Sequence, residues 1–116
     1  MKAEVGAKRV YEPPSASDGL RVLVMRLWPR GIRKTAIDLW LKELGAEINN
    51  LRAWNAGQLD WDEMRTRYLA GLKEPAAAAA LSQLRTLAGE RPITLLCSCV
   101  DETRCHRGIL KSLLRA

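Results

Sequence analysis

The chain has one histidine and three cysteines in 116 residues, and all four fall between positions 97 and 106. Soft metal ligands, thiol nucleophiles and imidazole chemistry can come from that stretch alone. No apolar run approaches the roughly 20 residues of a bilayer-spanning helix. The opening Met1-Lys2-Ala3-Glu4-Val5 lacks the apolar core of a secretory leader. A membrane protein is therefore not expected, and the cytoplasm is the expected location. An odd cysteine count in a reducing compartment argues against a disulfide framework, leaving free thiols, a metal or transient redox chemistry. A glycine-rich nucleotide loop, a helix-turn-helix pattern, an RNA-binding motif, an internal repeat and a linker are also lacking.

What is present is the composition of a folded domain, 47% hydrophobic and 28% charged. A chain of this length buries enough surface for one core, so residues 1–116 are expected to form a single domain with 1–6 frayed. Nineteen Lys and Arg against thirteen Asp and Glu give a net charge of +6, which favours an anionic partner such as a nucleotide, a phosphorylated metabolite or nucleic-acid phosphate.

Hydrophobic periodicity marks the elements. Residues 7–11 suit a short strand, closed by Pro13-Pro14 and the turn-rich run 15–19. Residues 20–27 form a mostly apolar strand, with Leu20, Val22 and Val24 on one side and Arg21, Leu23 and Met25 on the other. Ile37, Trp40, Leu41 and Leu44 stand at helical spacing, with Thr35 as a cap and Gly45 as a stop, so 37–44 reads as an amphipathic helix. Residues 46–59 read as less regular. Asp60 and Glu63 resemble a capping box opening a helix with the stripe Trp61, Met64, Tyr68 and Leu72. Pro75 starts a further alanine-rich helix that ends near Gly89. Residues 92–99 have the continuous apolar character of a strand covered on both faces, and Ile109, Leu110, Leu113 and Leu114 mark a terminal helix. The order predicts an α/β fold: a small, mostly parallel sheet flanked by helices in a single layered domain.

Parallel strands place the loops after them on one edge, where α/β proteins bind ligands. That would bring Arg26, Trp28 and Arg30 toward Asp101, Cys105, His106 and Arg107. The helix start at Cys105 and His106 offers backbone N–H groups to an anion, unless Asp101 or Thr103 caps them. Cys105, flanked by Arg104 and His106 at that start, has the setting of a thiolate; Asp101 and His106 are candidate acid–base groups. The phosphatase pattern of cysteine, five residues, arginine is absent, since Thr103, Cys105 and Lys111 stand six positions after Cys97, Cys99 and Cys105. Metal ligation by Cys97, Cys99, Cys105 and His106 is disfavoured by spacing, because zinc knuckles place ligands in pairs two to four residues apart. No metal and no cofactor is predicted. A reversible disulfide between Cys99 and Cys105 remains open.

Several stretches together are similar to a known family, the YeaO-like domain of unknown function 488: Arg9-Val10-Tyr11, the run 18–31 with its Arg26-Leu27-Trp28-Pro29-Arg30-Gly31, residues 39–44, Leu51-Arg52-Ala53-Trp54, Arg67-Tyr68 and Cys105-His106-Arg107. The likeness implies a small α/β protein of bacterial type and places Arg26, Trp28, Arg30, Cys105, His106 and Arg107 among the family's characteristic residues. The family pattern has an aspartate just before the Arg-Leu-Trp-Pro-Arg-Gly element, where this chain has Met25.

The leading expectation is a protein that binds an anionic ligand, with Arg26, Trp28, Arg30 and Arg107 as binding residues and Cys105, His106 and Asp101 as candidates for chemistry. The first alternative is a non-catalytic nucleic-acid or protein interaction module using Arg21, Arg26, Arg30, Arg33, Lys34 and Trp28. The second is a thiol redox or metal-binding protein.

Overall fold

The computed structural model describes residues 4–99 and 101–115. Four parallel strands form one sheet in the order β1-β4-β2-β3: β1 Val5–Arg9, β2 Leu20–Leu23, β3 Leu39–Trp40 and β4 Ile93–Cys97. Among the described residues three α-helices, α1 Ile48–Asn55, α2 Trp61–Gly71 and α3 Pro75–Glu90, lie between β3 and β4, and a fourth, α4 His106–Arg115, follows β4. The α/β expectation holds, and the long helical stretch between β2 and β4 returns the chain in the parallel sense, with Leu20 opposite Ile93.

The centre of the sheet is β4, hydrogen-bonded on both sides and buried at all five positions. Its alternation sorts the two faces. Ile93 and Leu95 join Val22, Val24, Leu84 and Leu110 in the main core beneath the helices. Leu96 joins Val10 and Leu23 on the opposite face, where Met25, Trp28, Ile32 and Ile37 of the long β2–β3 loop cover it. That loop face also carries a charged staple. The buried carboxylate of Asp18 accepts from Arg21 Nη1 and, at 3.1 Å, from Lys8 Nζ, while Thr94 donates to the Asp18 carbonyl at 2.7 Å.

Several boundaries differ from the sequence reading. Val5 and Gly6, expected to fray, pair with Ile93 and Thr94 in β1; residues 1–3 and Val100 lie outside the described residues. The strand read over 20–27 ends at Leu23, with one further bond from Val24 N–H to the Leu96 carbonyl at 3.1 Å.

The helix expected over 37–44 does not form. Thr35 lies within a 3-10 turn, Lys34–Ala36, Leu39 and Trp40 pair with Val22 and Leu23, and a second 3-10 turn spans Lys42–Leu44. The open edge of β2 decides this: its Arg21 and Leu23 carbonyls accept from Asp38 N–H and Leu41 N–H, both at 2.9 Å. Eight residues of weak helix cannot outcompete pairing with an existing sheet. Leu41 and Leu44 are buried all the same. Gly45 acts here not as a helix stop but by close approach, since a Cβ would stand 2.3 Å from Arg26 N. The segment read as irregular contains α1, with the Asn49-Asn50 pair in its first turn. The later helices start where expected: Asp60 Oδ1 accepts from Glu63 N–H at 2.8 Å, and Pro75 opens α3.

Candidate metal centre

The carboxyl ends of β4 and β2 meet the start of α4 at one sheet edge. The period-two alternation that points Ile93 and Leu95 toward the helices carries Cys97 to the same side. Two residues on, Cys99 brings its sulfur to 3.4 Å from Cys97 Sγ. A 3-10 turn, Glu102–Arg104, then returns the chain so that Cys105 and His106 enter from the opposite direction. Gly108 permits this return, because a Cβ there would stand 2.3 Å from the Glu102 carbonyl oxygen.

One donor atom from each of Cys97, Cys99, Cys105 and His106 lies within 4.8 Å of the others. Cys97, Cys105 and His106 are buried and Cys99 is partly exposed. His106 Nε2 meets the backbone carbonyl of Val24. A carbonyl can only accept, so Nε2 carries the proton in that contact and Nδ1 keeps its lone pair. Nδ1 faces Cys105 Sγ at 3.8 Å. The Tyr68 ring packs against the imidazole with centroids 5.4 Å apart, and its hydroxyl donates to the Leu44 carbonyl at 2.7 Å. Burial pushes the Tyr68 phenol far up.

The sulfurs share their protons unequally. Hydrogen bonds from Cys105 and then Cys99, against the opposing effect of burial, hold Cys97 well below the usual thiol range. Cys99 is pulled down by Cys105 but driven up more strongly by Cys97 and by burial, to about 11. Cys97, Cys99 and burial raise Cys105. The cluster thus holds one negative charge readily and resists a second. Arg107 stands beside it, buried, with Nη1 donating to the carbonyls of Cys99 at 2.7 Å and Cys97 at 3.4 Å and lying 4.0 Å from Cys105 Sγ. Its Nε is buried with no partner among the described residues.

The structure joins Cys105, His106 and Arg107 but draws the other expected residues elsewhere. Exposed Asp101 caps its own turn, accepting from Thr103 N–H at 2.9 Å and Thr103 Oγ1 at 2.6 Å, and these bonds lower its pKa. Arg26 donates through Nε to the Gly45 carbonyl at 3.2 Å and lines a cleft of about 570 Å³ with Glu43, Glu47, Asn50, Arg67 and Tyr68. Trp28 packs on the loop face, its indole N–H donating to Ile32 at 2.8 Å. Arg30 is exposed, and its carbonyl accepts from Tyr11. The expected approach of Arg26, Trp28 and Arg30 to Asp101, Cys105, His106 and Arg107 is therefore not what the side chains build. A strand end and a returning turn converge donors that knuckle patterns keep in pairs, so the spacing along the chain does not by itself keep these four apart.

The family model described as "Domain of unknown function DUF488" matches residues 6–114. The chain belongs to the DUF488 family. Its similarity to "Uncharacterized protein YeaO" of Escherichia coli (strain K12) is 39% identity, covering 97% of each chain. "Uncharacterized protein Rv3073c" of Mycobacterium tuberculosis (strain ATCC 25618 / H37Rv) is 37% identical over 97% of this chain and 95% of its own length. No solved structure matches. The residues singled out from the sequence thus divide among three places in this fold: the thiol cluster, the Arg26 cleft and the loop face. Among the described residues no helix is long and apolar enough to cross a membrane.

Proposed function

We propose that this DUF488 protein binds one thiophilic divalent metal ion, of the zinc class, through Sγ of Cys97, Cys99 and Cys105 and Nδ1 of His106. The observation that carries the reading is the convergence of these four donors within 4.8 Å. Tetrahedral zinc with Zn–S bonds near 2.3 Å needs sulfurs about 3.8 Å apart, so small side-chain rotations suffice. The Val24 carbonyl on His106 Nε2 is the kind of outer contact that orients a ligating imidazole. Charge supports it as well: three thiolates around a divalent ion leave one negative charge, and the buried Arg107 guanidinium offsets it.

Four protein ligands leave no coordination position for substrate, so the centre suits metal holding or exchange rather than water activation. Cys99, partly exposed, is the route for entry and release. In this reading the protein works in the cytoplasm, where its thiols stay reduced.

The test is titration of reduced, chelator-treated protein with cobalt(II) and then zinc. One equivalent of cobalt should give thiolate charge-transfer and tetrahedral d–d bands, which zinc abolishes. Cys105→Ser should weaken binding by at least about tenfold. Wild-type protein that takes up no cobalt under reducing conditions would overturn the proposal.

A second reading keeps the anionic ligand but moves it to the cleft, whose lining includes Arg26 and Arg67 together with Glu43, Glu47, Glu74 and Asn50. Inorganic phosphate should then raise the melting temperature of wild type but not of Arg26→Ala. Equal shifts in both would remove this reading.

A further inference from the structure

The β2–β3 loop carries a feature that the metal centre does not use. Between Gly19 and Ile37 the chain has five basic residues and no acidic one. Arg21 is buried against Asp18 and Arg26 lines the cleft, which leaves Arg30, Arg33 and Lys34 exposed on the outside of the loop. The bracketing carboxylates are engaged: Asp38 accepts from Arg21 N–H at 2.8 Å, and Asp18 accepts from the Arg21 guanidinium and, at 3.1 Å, from Lys8 Nζ.

Two aromatic rings are tied to this same loop by their polar ends. Trp40 donates its indole N–H to the Met25 carbonyl at 2.7 Å and meets Trp28 edge-on at 5.4 Å. The Tyr11 hydroxyl donates to the Arg30 carbonyl at 3.2 Å. Yet 38% of Trp40 and 48% of Tyr11 stay exposed, as does 65% of Leu27. Rings held at their polar ends with area left in water are preorganised surfaces, since little side-chain freedom remains to be lost on binding. A protein partner would be expected to meet fewer charges at such a centre. Flat aromatics set among cations match stacked bases on a phosphate backbone.

We propose that this loop binds a single strand of nucleic acid, with Trp40 and Tyr11 stacking on bases and Arg30, Arg33 and Lys34 contacting phosphates. The inference is independent of the metal centre.

The experiment is fluorescence anisotropy of a labelled oligothymidylate of about 12 nucleotides, and of the matching oligouridylate, with the full chain over a salt series. Three phosphate contacts predict a log–log salt slope near −2 (about 0.7 per contact for single strands). Arg30→Ala, Arg33→Ala and Lys34→Ala together should flatten that slope and weaken binding at least about tenfold. Trp40→Leu, which keeps apolar bulk, should weaken binding with the slope unchanged. Arg85→Ala on the outer face of α3, the charge control, should bind like wild type. Tighter binding of the ribose strand would identify RNA as the target, and equal binding a single strand of either kind. The proposal fails if neither oligonucleotide binds at low salt, if a duplex of equal length binds as well, or if the triple variant binds like wild type. Metal titration is read separately, so either result can fail alone.

Discussion

The imidazole of His106 donates through Nε2 to the backbone carbonyl of Val24, tying the first residue of α4 to the residue that follows β2. This contact spans 82 positions of sequence and turns Nδ1 toward the three sulfurs.

Metal binding at such a centre must displace thiol protons. Cys97 is held low, but Cys99 is raised to about 11 and Cys105 is raised too. Two protons should therefore leave per zinc bound near neutral pH, and affinity should climb about a hundredfold per pH unit. Calorimetry in buffers of differing ionisation enthalpy counts those protons. Affinity that falls as pH rises from 6 to 8 would contradict the site.

Asp18 organises the loop face from inside. Removing its charge with Asp18→Asn leaves Arg21 buried and unpaired, at an expected cost of about 3–5 kcal/mol in urea unfolding. Burial works to raise its carboxyl, but the Ser15 N–H, Lys8 and Arg21 outweigh burial and lower it. A lowered native pKa means the stabilisation is complete above the unfolded value near 3.9 and is lost as pH falls through the native one. The wild type should lose stability below about pH 4 more steeply than the variant.

Gly108→Ala tests the returning turn. The added Cβ would meet the Glu102 carbonyl at 2.3 Å, and relieving that overlap should cost about 1–3 kcal/mol. Because Gly108 N–H also bonds the Cys105 carbonyl at 3.0 Å, a shift of this turn should disturb the ligand positions, and zinc affinity should fall together with melting temperature. Unchanged zinc affinity would mean that the turn does not position the ligands.

Tyr68→Phe leaves the buried Leu44 carbonyl without its partner, at an expected cost of about 1–3 kcal/mol. The native Tyr68 phenol is raised by burial. In alkaline absorbance titration its phenolate signal should appear with unfolding, and the variant should lack that step. A phenolate from Tyr68 in still-folded protein would show that the ring is accessible.

Local sequence determined much of this protein. Alternation in Leu20–Leu23 and the apolar run Ile93–Cys97 set two strands, Pro75 and the Asp60–Glu63 cap set two helix starts, and the long stretch between the strands made them parallel. These are short-range effects, carried by side-chain period and by the first turn of each helix. The tertiary structure decided the rest. Residues 37–44 hold a helical pattern, but the unpaired edge of β2 took Leu39 and Trp40 as a strand. Arg26 and Trp28, two residues apart, went to the cleft and to the opposite face of the sheet. The sulfur of Cys97 reached those of Cys99 and Cys105 through a strand end, a turn closed over Gly108 and a histidine anchored on Val24. Spacing along the chain cannot encode that convergence, because a donor's position in space depends on backbone partners that lie tens of residues away.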